Sequence, residues 1–508
     1  MKRVAVATSS PISAEAGARI GSKGGNAVDS AIAASLVCMV TEPGIVSLGS
    51  GGFLTIWPPD GPPVVIDGYV EMPGRGVSAD RIGGGVRQVH IGYGGGVDTT
   101  VGHGSVGTPG TLAALGAAAE RYGRLPWHEL VEPALEHTER GFPLPQASFD
   151  YLKYSHERIF GWTEESYDVI HTPEGRLRQV GDTIVIPGLV ESLRAIADEG
   201  PAAFYEGEIA RCIVDDSVAN GGLLTAEDLR CYRPVVREPL LAEIQDWTIA
   251  TNPPPALGGA ALAAMLLLME KAPPGTGRLE NLEGLIQVQG TVLDYRHRVL
   301  EKSDHVDPDV DRLLEAARLG DIGTLTDAPS TVHTSAVDDS GLACAITVSF
   351  GYGSGVMPPG TGIVMNNCLG ELELNPRGLH TLRPGSRLPS NMAPSAGRRG
   401  DGAVLAIGSP GASRITTAIL QVLARFLYTD VSLPEAVAAP RLHVEISDGK
   451  LRVAYEEGLD VGALPHPSHH FEGTSMYFGG VGAALWEPGS GFTLAADPRR
   501  QGGTAVSD

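Results

Sequence analysis

A β-hairpin in the second half of the chain places the strongest constraint on its fold. Residues 331–337 and 342–349 are mostly apolar or β-branched, and they flank the turn sequence Asp338-Asp339-Ser340-Gly341. Two such segments around a short turn predict paired antiparallel strands. The preceding residues, 321–330, have no apolar period and predict an exposed loop. We therefore expect a core hairpin whose first strand begins with Thr331, directly after a solvated loop.

The rest of the chain predicts a mixture of helices and strands. Residues 4–7 predict a short strand, 13–20 a helix with a serine cap, and 26–39 a second helix. The glycine-rich stretch 82–107 predicts a long loop. Residues from 111 to 320 are mostly helical in pattern, whereas strands alternate after 331. The helices predicted in these two parts are 111–122, 127–140, 190–199, 204–219, 260–271, 284–299, 414–428 and 433–438.

Length and charge exclude one class of function. The 508 residues correspond to several domains or to one large layered domain. Lysine and arginine number 38 against 60 aspartates and glutamates, which gives a formal net charge of -22. Because no basic excess is available to neutralise phosphates, we exclude nucleic acid as a partner.

Cysteine spacing and hydropathy bear on disulfides, metal binding, membrane contact and cellular location. The five cysteines lack CxxC spacing, which indicates neither a disulfide framework nor a zinc cage. The longest apolar stretch, residues 259–269, is about half the length that a membrane-spanning helix needs. The first residues contain no apolar run long enough for a secretion signal. We expect a cytoplasmic protein that contacts no membrane and uses no metal or cofactor.

Several common motifs are missing from the sequence. It contains no HExxH, no GxxxxGK[ST] and no GxSxG. The glycine-rich segments 49–52 and 351–355 lack the setting of a phosphate loop, and turn glycines explain them better. The histidines of segment 466–470 could ligate a metal, but the neighbouring prolines favour a surface loop.

Thr331 admits two interpretations. A β-branched residue is an ordinary way to begin a strand. If the chain were cut before Thr331, however, the new α-amine, with a pKa of about 7.7–8.0, could act as base for the threonine hydroxyl. The residue types alone leave both interpretations open.

Two other features favour the second interpretation. Residues 408–414 form a strand-to-helix turn that presents consecutive backbone N–H groups, a geometry that suits an oxyanion. Ser349 faces Thr331 across the hairpin, where it could hydrogen-bond the new amine or simply be a strand serine.

The sequence resembles the γ-glutamyltransferase (γ-glutamyl transpeptidase) family over nearly its whole length. The motifs that carry the resemblance are AEAG at 14–17, KGGNAVDSA at 23–31, GTPGT at 107–111, GGLLTAEDL at 221–229, PPP at 253–255, Thr331-x-His333, PGTGIVMNN at 359–367, GSPGASR at 408–414 and ADPR at 496–499. Because these matches occur in order, together they are much more specific than any one of them.

The resemblance implies an α+β fold, the four-layer αββα sandwich of N-terminal-nucleophile (Ntn) hydrolases. It also implies self-cleavage between Ser330 and Thr331, which leaves residues 1–330 and 331–508 as the large and small subunits of a heterodimer. Thr331 would be the nucleophile in processing and in catalysis. Ser349 matches the hydroxyl residue near the new amine, and Gly411 and Ala412 match the oxyanion-hole pair.

The residues that bind substrate depart from the family pattern. Val70 stands where the family has the arginine that grips the glutamyl α-carboxylate, which removes most of the reason to bind glutamate. Cys368 stands where the family usually has glutamine or glutamate and could not replace an amide, although Glu371 could still meet an ammonium group. Ser390 and Asn391 stand where the family has paired serines. Whether Arg387 or Arg414 replaces the lost arginine stays open.

Three functions follow from this comparison. The first is an autoprocessed threonine hydrolase or acyltransferase that acts on a small molecule with an acyl group other than an ordinary γ-glutamyl. The second is a branch of the same family that cleaves a carbon–carbon bond and releases an oxalyl fragment, in pathways to the 4-alkylproline units of pyrrolobenzodiazepines, hormaomycin and lincosamides. The third is an inactive scaffold on this fold. Association beyond the heterodimer is left open.

Overall fold

The computed structural model describes residues 3–78, 81–92, 96–271, 273, 282–303, 305–320, 331–371, 374–375, 377–447, 450–459, 461, 464 and 466–508. The helices are α1 Pro11–Ser22, α2 Ala27–Thr41, α3 Thr111–Tyr122, α4 Trp127–Arg140, α5 Gln146–Ser155, α6 Glu164–Ile170, α7 Leu189–Glu199, α8 Ala202–Tyr205, α9 Glu208–Ala219, α10 Ala226–Cys231, α11 Leu257–Lys271, α12 Leu282–Arg298, α13 Val306–Leu319, α14 Arg414–Tyr428 and α15 Leu433–Ala438.

The strands are β1 Val4–Thr8, β2 Gly51–Trp57, β3 Val64–Gly68, β4 Arg87–Ile91, β5 Val97–Val101, β6 Phe142–Pro143, β7 Thr183–Ile184, β8 Val235–Arg237, β9 Leu240–Ile244, β10 Trp247–Thr251, β11 Val332–Asp338, β12 Ala343–Ser349, β13 Ser395–Arg399, β14 Val404–Gly408, β15 Leu442–Ser447, β16 Lys450–Glu456, β17 Ser468–Phe471, β18 Gly482–Glu487, β19 Gly491–Ala496 and β20 Gly503–Val506.

Two antiparallel sheets form the centre of the molecule. The first sheet has the strand order β20-β1-β11-β12-β2-β3-β8, and the second has the order β19-β18-β14-β13-β10-β9. The predicted hairpin is confirmed as β11 and β12, and it lies in the middle of the first sheet. Its outer neighbours are β1 and β2, which come from the start of the chain.

The two sheets face each other across a layer of mostly small side chains. Ala5, Ala345, Ala406 and Ala484 are fully buried in this layer. Side chains of alternate residues point the other way, where α1 and α2 cover the first sheet and α11 and α14 cover the second. Small side chains let the sheets approach closely, so loops at the strand ends of one sheet reach those of the other.

Helix α2 shows why the buried helices form where they do. The Asn26 side chain caps it by accepting hydrogen bonds from the Val28 and Asp29 N–H groups, and the Asp29 carboxylate accepts one from the Asn26 backbone N–H. This capping box satisfies the first free N–H groups of the helix. All residues of α2 are buried, which agrees with an apolar sequence that lacks a polar face.

Several predictions about secondary structure were wrong or shifted, and the single helix predicted for 204–219 is divided into α8 and α9. Helix α1 begins at Pro11 and is capped by Ser10, because proline fits the first helical position. The stretch 82–107 is not one long loop, because β4 and β5 pair as a hairpin within it. The mostly helical part also contains β8, β9 and β10. The predicted loop 321–330 lies outside the described residues.

Candidate functional site

Thr331 lies immediately before β11, at the end of a central strand of the first sheet, and the residue is 2% exposed. Val332 pairs with Val348, so the next residues along the two strands, Thr331 and Ser349, face each other. Ser349 is also buried, and its hydroxyl accepts a hydrogen bond of 3.1 Å from the Gly351 N–H. The structure therefore brings the predicted nucleophile and the predicted hydroxyl residue to adjacent strand ends. Ser330 lies outside the described residues.

His333 connects this strand end with the second sheet. Its ring nitrogens form hydrogen bonds of 2.8 Å with Thr347 Oγ1 and 2.7 Å with Ser335 Oγ. Burial lowers the pKa of His333 to about 3, so the imidazole is neutral at physiological pH. A Cβ atom on Gly408 would lie 2.3 Å from Cε1 of the ring. Because side chains alternate along a strand, Thr331 lies on the same face as His333, towards the turn after Gly408.

The turn between β14 and α14 has the conformation of an anion-binding loop. Gly411 has a φ of 121° and Ala412 a φ of 66°, and both values lie in the left-handed region. A Cβ atom on Gly411 would lie 2.6 Å from the Gly479 Cα atom, so this position needs glycine for space as well as for conformation. Within the described part of the chain, neither the Gly411 N–H nor the Ala412 N–H donates a hydrogen bond. Two unpaired donors at a helix N-terminus can stabilise a developing oxyanion.

Val70 occupies a buried wall on the other side of β12. It is 0% exposed, and its carbonyl accepts a hydrogen bond of 3.1 Å from the Leu388 N–H. A Cβ atom on Gly51 would lie 2.7 Å from the Val70 nitrogen and 2.9 Å from Cδ2 of Tyr69. An apolar side chain therefore stands where the resemblance leads one to expect an arginine. It packs against β2, the strand that pairs with Ser349.

Cys368 and Glu371 lie in a turn that two asparagines hold in place. The Asn366 side chain donates 2.9 Å hydrogen bonds to the Gly49 and Gly107 carbonyls and accepts one from the Cys368 N–H. Asn367 Nδ2 donates to the carbonyl of Thr100, at the end of β5. Cys368 and Glu371 are both buried. The hairpin of β4 and β5, which was not predicted within 82–107, thus supports the turn that carries Glu371.

Tyr69 brings the predicted pocket residues together, although the sequence did not single it out. Its hydroxyl lies beside the side chains of Cys368, Glu371 and Ser390. Burial raises the pKa of this hydroxyl well above its usual value, and its neighbours Cys368 and Glu371 raise it further. Burial likewise raises the pKa of the Cys368 thiol. Both groups are therefore neutral and able to donate hydrogen bonds.

Ser390 and Asn391 complete this wall. The Ser390 hydroxyl accepts a hydrogen bond of 3.2 Å from the Met392 N–H. Both polar atoms of the Asn391 amide are buried and have no hydrogen-bond partner among the residues that the structure describes. A buried amide without partners is costly, so it indicates a place where a ligand can supply them.

Arg387 is already bound by carboxylates. Its guanidinium lies 2.9 Å from Glu71 and 3.4 Å from Asp67, and it stacks over Tyr232 with a centroid distance of 4.5 Å. It also donates to two backbone carbonyls. Arg387 therefore supports the segment around Val70 and does not present a free cation to a substrate.

Arg414 is held at the start of α14. Its Nε donates a hydrogen bond of 3.0 Å to the Tyr477 carbonyl, and its guanidinium lies over the Tyr477 ring at 4.4 Å. These contacts orient it towards the 476–478 turn. Neither arginine whose role the sequence left open takes the geometry of the missing carboxylate clamp.

The structure also bears on the histidine-rich segment 466–470, on metal binding and on membrane spanning. Residues 468–471 form the surface strand β17, so this part of the histidine-rich segment is not a loop. Over the described ranges, no three His, Cys, Asp or Glu side chains are grouped closely enough to hold a metal ion. Within the same ranges, no helix has the length and hydropathy required to cross a membrane.

Comparison with known proteins agrees with this geometry. The family model for gamma-glutamyltranspeptidase matches residues 13–507. The glutathione hydrolase proenzyme of Pseudomonas aeruginosa is 30% identical over 538 residues, which cover 98% of this chain and 93% of that protein. The crystal structure of cephalosporin acylase from Bacillus halodurans has a TM-score of 0.81 at 27% identity and covers 99% and 96% of the two chains.

A third comparison concerns the fold alone. The structure of LmbA2991T421A has a TM-score of 0.77 at 20% identity, with coverage of 100% of this chain and 99% of the other. The chain belongs to the gamma-glutamyltranspeptidase family, and it is an enzyme of the Ntn hydrolase type.

Proposed function

We propose that the chain cleaves its own Ser330–Thr331 bond and then uses Thr331 as the nucleophile of an acyl-transfer reaction. The observation that carries the proposal is the position of Thr331. It lies opposite Ser349 and on the face towards the Gly411 and Ala412 N–H groups, which have no partner among the described residues. This arrangement supplies a nucleophile, a hydroxyl that can orient it and donors for an oxyanion.

The processing step needs only the chain itself and water. The Thr331 hydroxyl oxygen attacks the Ser330 carbonyl carbon, the C–N bond breaks, and the released amine takes the hydroxyl proton. Water then hydrolyses the ester and leaves a carboxylate on residue 330 and a free α-amine on Thr331. The products are residues 1–330 and 331–508, the large and small subunits of a heterodimer.

The strand order supports a heterodimer that stays together after the cut. In the first sheet, β1, β2, β3 and β8 would belong to the large subunit, whereas β20, β11 and β12 would belong to the small one. Strands of the two subunits therefore alternate within one sheet, and separation would break whole ladders of backbone hydrogen bonds. Helices pack on the outer faces of both sheets. For this reason we also propose the four-layer αββα sandwich for the mature enzyme.

In the catalytic cycle, the free amine of Thr331 is the base. It takes the hydroxyl proton as the oxygen attacks the substrate carbonyl, and it returns that proton to the leaving group. The Gly411 and Ala412 N–H groups would stabilise the tetrahedral oxyanion; one such donor contributes about 2.7–4 kcal/mol in other enzymes. Water or an amine then removes the acyl group from Thr331. No cofactor takes part in this scheme.

The acyl group is not an ordinary γ-glutamyl in this proposal. Val70 is buried and apolar at the position of the carboxylate-binding arginine, and Arg387 is bound by Asp67 and Glu71. Cys368, Glu371, Ser390 and Asn391 remain as the polar residues of the pocket. With valine at this position and Arg387 paired elsewhere, the pocket loses the bidentate contact that recognises an α-carboxylate.

A second candidate is a C–C bond hydrolase of the 4-alkylproline pathways, and the apolar Val70 wall favours it as well. In that reaction the Thr331 oxygen attacks a ketone carbonyl, the adjacent C–C bond breaks, and the carbon leaving group takes the proton from the amine. Water would then release the oxalyl fragment from Thr331 as oxalate.

Release of the chromophore from a γ-glutamyl anilide by the cut enzyme tests the acyl assignment, with Thr331→Ala and Thr331→Ser as controls. We expect slow or no release from the wild type. Rapid release that requires the residue 331 hydroxyl would show a conventional γ-glutamyl enzyme and contradict the altered pocket. If release is absent, oxalate formation from ketone substrates distinguishes the second candidate from the first.

A further inference from the structure

We infer that Tyr69 is the specificity-determining residue at the far end of the acyl pocket, and that the pocket selects acyl groups without a carboxylate at that end. This inference rests on the proposed function, because it assumes that acyl groups bind beside Thr331. It concerns which chemical class of acyl group is bound.

The register of the first sheet aligns Tyr69 with Thr331. Val332, Val348, Gly52 and Gly68 form one row of paired residues across β11, β12, β2 and β3. The next row towards the strand ends is Thr331, Ser349, Gly51 and Tyr69, in which Ser349 and Gly51 are directly paired. Residues in one row of an antiparallel sheet share a face, and neighbouring strands lie about 4.8 Å apart. Tyr69 is therefore about 14 Å from Thr331 between Cα atoms, on the same face.

The Tyr69 ring reaches back over Gly51 towards Ser349. Gly51 has no side chain, and a Cβ atom there would lie 2.9 Å from the Tyr69 ring and 3.0 Å from Cγ1 of Val70. Tyr69 and Val70 therefore fill the space beside Gly51, and the wall of the pocket begins directly after Ser349 in this row. An acyl chain attached to Thr331 that extends along this row meets the Tyr69 side chain.

Neighbouring residues hold Tyr69 rigidly. Its ring stacks on Phe53 at a centroid distance of 5.5 Å, and the Tyr232 hydroxyl donates a hydrogen bond of 2.7 Å to its carbonyl. Its own N–H donates a 3.0 Å bond to Asp67. A side chain fixed in this way discriminates between ligands, because it does not move to fit a wrong one.

The charged groups around the Tyr69 hydroxyl disfavour a carboxylate there. After burial, the largest influences on its pKa come from Cys368 and Glu371, and both raise it. The nearby cation of Arg387 is paired with Glu71 and Asp67. Arg500 is buried, but it precedes β20, which pairs with β1, so it lies on the opposite side of β11 from Tyr69.

This environment favours a neutral or ammonium group over a carboxylate. A carboxylate beside Glu371 would be repelled, whereas the Tyr69 and Ser390 hydroxyls offer hydrogen bonds to an uncharged group. An ammonium would pair with Glu371. The chemical class is therefore a short acyl group that ends in an amine, a hydroxyl or an amide.

Four p-nitroanilides of one chain length test this inference: γ-glutamyl, 4-aminobutanoyl, glutaryl and butanoyl. They differ only in whether the far end carries an ammonium, a carboxylate, both or neither. For the cut wild-type enzyme we expect kcat/KM to be highest for 4-aminobutanoyl and lowest for glutaryl. Tyr69→Phe should lower kcat/KM for the 4-aminobutanoyl substrate by about five- to tenfold and for butanoyl much less. Glu371→Gln should reduce the preference for the ammonium.

Tyr167→Phe is the matched control, because the Tyr167 hydroxyl donates to the Gly175 carbonyl in an exposed hydrogen bond. It should leave all four kcat/KM values unchanged. Equal ratios among the four substrates in wild type and Tyr69→Phe would overturn the inference. So would a preference for glutaryl or γ-glutamyl substrates.

Calorimetric binding of glutamate, 4-aminobutanoate, glutarate and butanoate to the cut enzyme separates this inference from the proposed function. If no anilide is cleaved but 4-aminobutanoate binds most tightly and depends on Tyr69, the amide-cleaving function fails and the inference holds. If glutarate binds more tightly, or none of the four binds, the inference fails whatever the anilides show.

Discussion

Gly408 and His333 touch across the two sheets: a Cβ atom on Gly408 would lie 2.3 Å from the imidazole. This contact lies between β11, which follows Thr331, and the turn that carries the proposed oxyanion donors Gly411 and Ala412. Under the proposed function, so close an approach requires residue 408 to lack a side chain.

We expect Gly408→Ala to lower the free energy of unfolding by about 1–3 kcal/mol, because the methyl group must displace a buried ring. It should also slow self-cleavage. Gly400→Ala is the matched control, since no atom lies within 4 Å of a Cβ at that position. Urea denaturation and intact-mass analysis measure the two effects. A Gly408→Ala protein as stable and as fully cut as Gly400→Ala would show that the contact does not matter.

His333 predicts a pH effect on stability. Burial lowers its pKa to about 3, below the ordinary value of about 6.5, so the native state binds fewer protons than the unfolded chain between these pH values. The free energy of unfolding should therefore fall as the pH drops from about 6.5, by at most ~1.4 kcal/mol per pH unit from this residue. His333→Gln removes the titrating group and should show a shallower decrease. Parallel curves for the two proteins would contradict the account.

Ala412 holds a φ of 66°, which costs a residue with a Cβ atom about 1–2 kcal/mol. Ala412→Gly keeps the backbone N–H, so we expect full activity and a free energy of unfolding equal to the wild type or up to ~1 kcal/mol higher. Ala412→Val should lower stability and activity together, because β-branched residues tolerate this conformation poorly. Chemical denaturation and turnover of the preferred anilide measure both. Loss of activity in Ala412→Gly would argue against a role confined to the backbone.

Arg387 distinguishes a supporting role from a substrate-binding one. Removing its charge in Arg387→Met leaves the fully buried carboxylate of Asp67 with Arg237 as its charged partner, and leaves Glu71 with Arg75. Because each carboxylate keeps one arginine and loses only its contact with Arg387, we expect a loss of about 1.5–3 kcal/mol in stability. The order of preference among acyl donors should not change when it is measured below the unfolding transition. A selective rise in KM for carboxylate-bearing donors would instead place Arg387 in the pocket.

The core hairpin and the helices after residue 408 could be predicted from the sequence, because their signals are local. Residues 414–428 and 433–438 were predicted with the bounds that the structure has. The hairpin of β4 and β5 could not be, because its strands are short, half-exposed and set among glycines. Its residues Thr99 and Thr100 pair with a segment far away in sequence, and local patterns do not reveal such a contact.

The site shows the same division. Thr331, Ser349 and the 408–414 turn were predicted from residue types and order, and the structure places them at neighbouring strand ends. Tyr69 was missed although it adjoins Val70, because its importance comes from the register of four strands. His333 was noted only as part of a motif, and its contact with Gly408 becomes visible only when two sheets face each other.

The intact mass of purified wild type, Thr331→Ser and Thr331→Ala tests the central claim most directly. The account predicts that wild type separates, under denaturing conditions, into fragments of 330 and 178 residues out of 508, with Thr331 as the N-terminus of the smaller one. Thr331→Ser should be cut more slowly, and Thr331→Ala should stay whole at 53.0 kDa. A wild type that stays uncut, as an inactive scaffold would, or a Thr331→Ala protein cut at the same bond, would contradict the assignment of Thr331 as the nucleophile.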